Sequence, residues 1–92
     1  MYDVIFSKRA DKDIKKIPRN IKLDIVERCF EVLSHNPYPH SSGNPKKLKG
    51  TSIFRLRIGD YRILYEVEGA RVEVYKIQLR KDVYKKLGPK RF

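Results

Sequence analysis

A single cysteine, Cys29, in 92 residues excludes a disulfide framework and a cysteine-based zinc site. A reducing cytoplasm is the expected setting. No apolar run approaches the ~18–20 residues of a membrane span, and the opening MYDVIFSKR lacks the apolar centre of a signal peptide. The expectation is a soluble protein that is not exported. There is no internal repeat, no low-complexity stretch, no Walker-type loop, no metal-ligand spacing and no Ser/His/Asp triad. Neither a cofactor nor a metal is expected. Acidic residues are also scarce: eleven Asp+Glu face twenty-two Lys+Arg, leaving a net charge of +11. With 40 % hydrophobic residues the chain can still build a small core, which excludes most disordered-tail readings. A domain of this length buries only ~60–65 % of the surface its unfolded chain exposes. Residues 1–92 therefore form one domain with no second lobe, and any chemistry sits on an open face.

The charge is uneven. Residues 1–45 hold eight basic and six acidic side chains, a balance of +2, whereas residues 46–92 hold fourteen against five, a balance of +9. The second half carries the signal for a polyanionic partner.

Tyr2, Val4 and Phe6 alternate with Asp3 and Ile5, the pattern of a short strand with one apolar face. Ser7 reads as a helix N-cap, and Lys8 to Ile17 carries Ala10, Ile14 and Ile17 as one apolar stripe. Pro18 interrupts it. A second helix over Arg19 to Ser34 has Ile21, Ile25, Cys29, Val32 and Leu33, with Val26 and Phe30 beside them, so the two make a helical hairpin. HNPYPHSSGNP, from His35 to Pro45, is an exposed loop that runs into the basic Lys46-Lys47-Leu48-Lys49-Gly50. The period then becomes two, with reversals at Gly59-Asp60 and Gly69, giving a three-stranded antiparallel meander that ends at Leu79. Lys81 to Leu87 can form a short helical turn before Gly88-Pro89. The expected fold is α+β: βααβββ, with the helical hairpin packed on the small meander.

A two-residue turn at Gly59-Asp60 pairs Ile58 with Tyr61, Arg57 with Arg62, Leu56 with Ile63, Arg55 with Leu64 and Phe54 with Tyr65. The apolar members fall on one side. Arg55, Arg57 and Arg62 fall on the other, with Arg57 directly opposite Arg62. A like-charge pair costs ~0.2–1 kcal/mol, offset by a bound anion or screened by solvent. The second reversal has two solutions. A Glu68-Gly69 loop pairs Glu66 with Arg71 and sets Arg62 near Tyr75; a Gly69-Ala70 loop pairs Glu66 with Glu73. The first is favoured for its opposite-charge pair. Both put Glu73, Tyr75 and Ile77 on the arginine face and Val72 and Val74 in the core. Arg80 then arrives beside Arg62, with Tyr84 a helical turn further on.

The runs Lys47-Leu48-Lys49-Gly50, IFRLRIGDYRILYEV from Ile53 to Val67, and IQLRKDVY from Ile77 to Tyr84 resemble the RelE branch of the RelE/ParE toxin family. The N-terminal strand and helix pair are compatible, so the resemblance spans nearly the whole chain. It implies a RelE-like, microbial-ribonuclease-like fold and a toxin of a type II toxin–antitoxin module that cuts mRNA in the ribosomal A site. The alternatives within the resemblance are a ParE-like inhibitor of DNA gyrase and an inactive homologue that keeps only its antitoxin.

Carried over by position, the resemblance puts Arg55 and Arg57 at the basic strand positions of the site and Arg62 at the arginine of the next strand. Arg80 takes the late arginine and Tyr84 the C-terminal tyrosine. The implied reaction is metal-independent: a ribose 2′-OH attacks its own 3′-phosphate, leaving a 2′,3′-cyclic phosphate and a 5′-OH. It needs a base, charge stabilisation and an acid. The arginines supply the second; staying protonated, they cannot supply the first. Some relatives use a glutamate and a histidine, but here His35 and His40 read as solvated loop residues and no histidine follows Tyr84. Tyr84, beside Arg80, Lys81 and Lys85, is the proton-transfer candidate. Lys46, Lys47, Lys49 and Lys81 are expected to neutralise RNA phosphates, making association salt-dependent. The implied partners are the ribosome, mRNA and an acidic, largely extended RelB-type antitoxin that folds on binding into a hetero-oligomer.

Overall fold

The alternating opening residues form β1 (Asp3–Phe6) in the computed structural model, which describes residues 1–40 and 44–79. Arg80, Lys81, Tyr84 and the expected C-terminal helical turn lie outside the described residues. Ser7 caps α1 (Lys8–Lys15), its Oγ accepting the Ala10 N–H at 3.1 Å. The helix stops short of the expected Ile17 because a residue before proline is driven out of the α region. Pro18 then opens α2 (Arg19–His35). His35 is thus the last residue of a helix rather than the first of a loop, its Nδ1 2.8 Å from the Glu31 carbonyl. Of the apolar face expected for α2, Ile25, Cys29 and Leu33 are buried, but Ile21 and Phe30 stay exposed, Phe30 lying against Phe6.

The remaining strands are β2 (Lys46–Lys47), β3 (Phe54–Ile58), β4 (Tyr61–Glu68) and β5 (Arg71–Leu79), in a five-stranded sheet of order β1-β5-β4-β3-β2. The expected meander is its β3-β4-β5 part, and both edges go beyond it. At one, β1 lies parallel to β5, from Asp3 opposite Arg71 to Phe6 opposite Val74, and α1 and α2 carry the chain from this edge to β2 at the other. At the other, Lys46 and Lys47, expected in a loop, pair antiparallel with Arg55 and Phe54. Both helices pack on one face of the sheet, over Leu56, Ile58, Ile63, Tyr65, Val72, Val74 and Ile77.

The β3–β4 register is the expected one at every pair, from Phe54 opposite Tyr65 to Ile58 opposite Tyr61. Gly59 opens this turn at φ +58° and Asp60 follows without a positive φ, the glycine-first pattern of a type II′ hairpin. The same chemistry decides the next reversal against the favoured register. Gly69, at φ +60°, is again the first loop residue, so Gly69-Ala70 forms the turn, Glu68 faces Arg71, and Glu66 faces Glu73. A Glu68-first loop would have placed a side chain where glycine is needed. Together with the bulge on β5, this turn sets Arg62 opposite Gln78, not Tyr75.

A β-bulge corrects a second expectation. Tyr65 pairs with Val74 but Leu64 pairs with Lys76, so Tyr75 is the extra residue on β5. The insertion reverses the strand's alternation, moving Ile77 from the arginine face into the core and bringing Lys76 and Gln78 out to the arginines. Where β1 ends, α1 covers the outer edge of β5. The Ser7 N–H donates to the Val74 carbonyl at 2.8 Å, Ser7 Oγ donates to the Tyr75 carbonyl at 3.3 Å, and the Asp13 carboxylate accepts the Ile77 N–H at 2.9 Å.

Candidate functional site

The sheet face without helices carries the charges, and the register sorts them into rows. Nearest the Gly59 turn stand Arg57, Arg62 and Gln78; the next row is Lys46, Arg55, Leu64 and Lys76. Beyond the bulge come Glu66 and Glu73 with Ile5, then Glu68, Arg71 and Asp3. One end of the face is cationic and the other mainly acidic. A depression of about 260 Å³ at the acidic end is lined by Ser52, Glu66, Val67, Glu68, Arg71 and Glu73 and does not reach Arg55, Arg57 or Arg62.

Arg57 and Arg62 face each other across the β3–β4 ladder. Arg62 is half-buried, and its Nε is sealed from solvent with no acceptor among the described residues. An unmet donor on a charged group is costly and is found where a ligand or water supplies an acceptor. The Arg57 backbone is held from the loop: Asn44 Nδ2 donates to its carbonyl and Asn44 Oδ1 accepts its N–H, both at 2.8 Å. Asn44 lies opposite Arg57 in the β2–β3 register, past Pro45, which has no N–H to offer a ladder. The side-chain amide thus takes the place of a strand backbone. That role was missed at the sequence level; its signal was the position of Asn44, two residues before an edge strand whose own existence was not visible.

The same loop is anchored in the core. Pro37 is buried and its carbonyl accepts the Tyr65 hydroxyl at 2.7 Å, while Tyr38 meets the Phe54 ring edge-on at 5.7 Å. Burial, with the neighbouring Cys29 thiol, raises the Tyr65 phenol, and Arg55 opposes that rise. The Cys29 thiol is itself pushed up to about 12 by burial. Neither group is poised for proton transfer or nucleophilic attack at neutral pH. Tyr75, at the bulge, is raised by desolvation and then by the charge of Glu66, which also accepts the Ser52 hydroxyl at 2.6 Å.

Of the expected site residues, Arg55, Arg57, Arg62 and Lys46 share the open face in adjoining rows. Lys47 pairs with Phe54 and belongs to the opposite parity, and Lys49 is exposed in the β2–β3 connection. His40 is exposed in its loop. Lys76 and Gln78 join the face through the bulge. Among the described residues there is no cluster of three His, Cys, Asp or Glu able to hold a metal, and no helix long and apolar enough to cross a membrane.

This helix-covered mixed sheet with an open cationic end has the fold of RelE-type toxins. The chain superposes on the Mycobacterium tuberculosis RelBE2 toxin–antitoxin complex with a TM-score of 0.72 at 31 % identity, covering 86 % of this chain and 98 % of that one. The family described as ParE toxin of type II toxin-antitoxin system, parDE, matches residues 4–84. Toxin RelG of M. tuberculosis is 33 % identical over 87 residues, 92 % of this chain and 98 % of the relative. Toxin RelE3 of Methanocaldococcus jannaschii is 33 % identical over 82 residues, 88 % of this chain and 93 % of the relative. The chain belongs to the RelE/ParE family of type II toxin–antitoxin toxins, on its RelE-type branch.

Proposed function

We propose that this toxin is a ribosome-dependent endoribonuclease that cleaves mRNA in the ribosomal A site. The observation that carries the reading is the Arg57–Arg62 pair, like charges held opposite each other on an open face with Arg62 Nε lacking an acceptor among the described residues. A phosphodiester there relieves the repulsion between the two guanidinium groups. As the 2′-OH attacks the adjacent phosphorus, Arg62, Arg57 and Arg55 stabilise the extra charge on the phosphorane, and the 5′-oxygen leaves. Arg80 and Tyr84, outside the described residues, complete the proposed catalytic set, with Tyr84 as the proton-transfer group. Lys46, Lys47, Lys49 and Lys81 are proposed to dock the surrounding RNA.

Primer extension on a message being translated tests this. Wild-type toxin gives A-site cuts, and Arg62→Ala lowers the single-turnover rate by ~10²–10³, the loss typical of one preorganised charge-stabilising donor. Intact message in the presence of ribosomes and wild-type toxin refutes the reading. The family description itself favours a second one, a ParE-like inhibitor of DNA gyrase. A supercoiling assay separates the two, since gyrase inhibition does not need the arginine pair. The partner proposed is an acidic RelB-type antitoxin, supported by the RelBE2 likeness and by a net charge of +11.

A further inference from the structure

One residue of the open face is out of character with the rest. Leu64, half-buried, stands in the cationic end with Arg55 opposite on β3, Lys76 opposite on β5, and Arg62 two residues before it on its own strand. A leucine on the face that no helix covers contributes nothing to the main core. Its three cationic neighbours, Arg55, Arg62 and Lys76, share its face and carry long apolar stems beneath their charges. The result is apolar ground with a positive rim.

We propose that the row Lys46–Arg55–Leu64–Lys76 is a second nucleotide subsite for single-stranded RNA, adjoining the phosphate held by Arg57 and Arg62. Leu64 is the floor on which a base rests, and Lys76 contacts the phosphate of that nucleotide. The proposal rests on the RNA-cleaving reading of the arginine face. Successive rows on one face of a strand lie ~7 Å apart, and diagonal partners across a ladder ~7–8 Å. That is the scale of one step along an RNA backbone. An inorganic anion needs no apolar floor, and in an acidic peptide the carboxylate and any flat apolar ring belong to different residues rather than to one unit. A nucleotide has both parts. Lys76 owes its place to the bulge at Tyr75, since an uninterrupted β5 would turn it toward the helices. It is half-buried and makes no ion pair among the described residues.

The two roles have separable signatures in the binding of the full chain to a short oligouridine, measured by fluorescence anisotropy without ribosomes over a salt series. Each phosphate contact on a single strand contributes ~0.7 to the slope of log K against log salt. Lys76→Met removes one: between about 50 and 200 mM salt the wild-type protein loses ~2.6-fold more affinity than the variant. Lys12→Met, at an exposed position on α1, leaves the slope unchanged. Leu64→Thr weakens oligouridine binding about fourfold at unchanged slope, the effect of losing one buried methylene's worth of contact. Leu64→Met, which keeps volume and apolarity, restores the affinity. On an abasic ribose-phosphate oligomer of equal length the Lys76 effect persists and the Leu64 effect vanishes.

An unchanged slope in Lys76→Met overturns the phosphate contact. Equal Leu64→Thr losses on oligouridine and the abasic oligomer overturn the base seat, as does an oligoglutamate that shows the same Leu64 dependence. Because no ribosome and no cleavage enter the measurement, these results stand apart from the A-site assay. Full binding signatures with uncut message would sink the nuclease reading and leave the subsite intact.

Discussion

Arg57 and Arg62 occupy directly opposed positions, so the proposed phosphate site is held at the expense of sheet stability. Replacing Arg57 with glutamine keeps a long polar side chain on the strand and removes one of the two charges. Opposed like charges in an antiparallel pair cost ~0.2–1 kcal/mol relative to a neutral pair. For a domain of this size each kcal/mol moves the melting temperature by ~4–8 °C. The Arg57→Gln variant should therefore melt ~1–8 °C higher than wild type in dilute buffer. Salt supplies the internal control. At about 1 M the screening length falls to ~3 Å, the repulsion between the guanidinium groups is quenched in wild type, and the two melting temperatures converge. The same variant should bind RNA more weakly, so stability and function move in opposite directions from one substitution. Thermal melts by circular dichroism at low and high salt are sufficient. A variant no more stable than wild type at low salt, or one whose advantage persists undiminished at about 1 M, would show that the pair stores no repulsion and remove its physical argument for an anion site.

Tyr65→Phe keeps the ring stacked on Phe54 but strips the hydroxyl from the carbonyl of buried Pro37. The orphaned acceptor should cost ~1–3 kcal/mol, read as a lower urea midpoint at an unchanged m-value, and an unmoved midpoint would mean the loop is not anchored there. Cys29 predicts a pH dependence. Its folded pKa is raised by burial from 9.0 to about 12, so its contribution to stability is intact below about 9 and is lost as pH rises toward about 12, because the unfolded chain ionises first. Urea midpoints of wild type should fall more steeply across that window than those of Cys29→Ala; parallel curves would contradict the burial.

What could be read from the sequence was local. Ser7 as a cap, Pro18 as a break and the whole β3–β4 register follow from residues within a few positions of one another, and that register alone gathers Arg55, Arg57 and Arg62 on one face. The features that escape a sequence reading are those whose signal is a single residue or none. At Gly69 an attractive Glu66–Arg71 pairing outweighed the turn's need for glycine in the first position, although Gly59-Asp60 had already displayed that arrangement. The bulge at Tyr75 leaves no mark in an alternation that runs Val72, Val74 on one side and Ile77 on the other, since an apolar residue in either phase reads as a strand. Ile77 and Lys76 exchanged faces as a result. The edge placements were less visible still. Two residues are too few for a period, which hid β2 and with it the Asn44 clamp. Nothing within Asp3–Phe6 says that the strand will lie parallel beside a partner some seventy residues away.

The bulge also gives the proposed nucleotide site one place on a chain of +11, rather than a general affinity for polyanions. Without it, Lys76 would leave the open face and the cationic end would stop at Leu64, with Arg71 remaining at the far end. With it, the cations gather toward the Gly59 turn, and Glu66 and Glu73 mark the boundary. From Arg62 to Glu66 is four residues of one strand, ~13 Å, longer than the ~8 Å screening length at physiological salt. A phosphate between Arg57 and Arg62 is therefore largely screened from the glutamates, which stand one row, ~7 Å, beyond Arg55 and Lys76. In the proposed complex a single strand of RNA gains by lying over Arg57, Arg62, Arg55 and Lys76 and is repelled if it extends past Tyr75 onto the paired glutamates. Attraction alone would hold the phosphates in any of several registers along the sheet; the acidic end removes all but those that set a phosphodiester between Arg57 and Arg62.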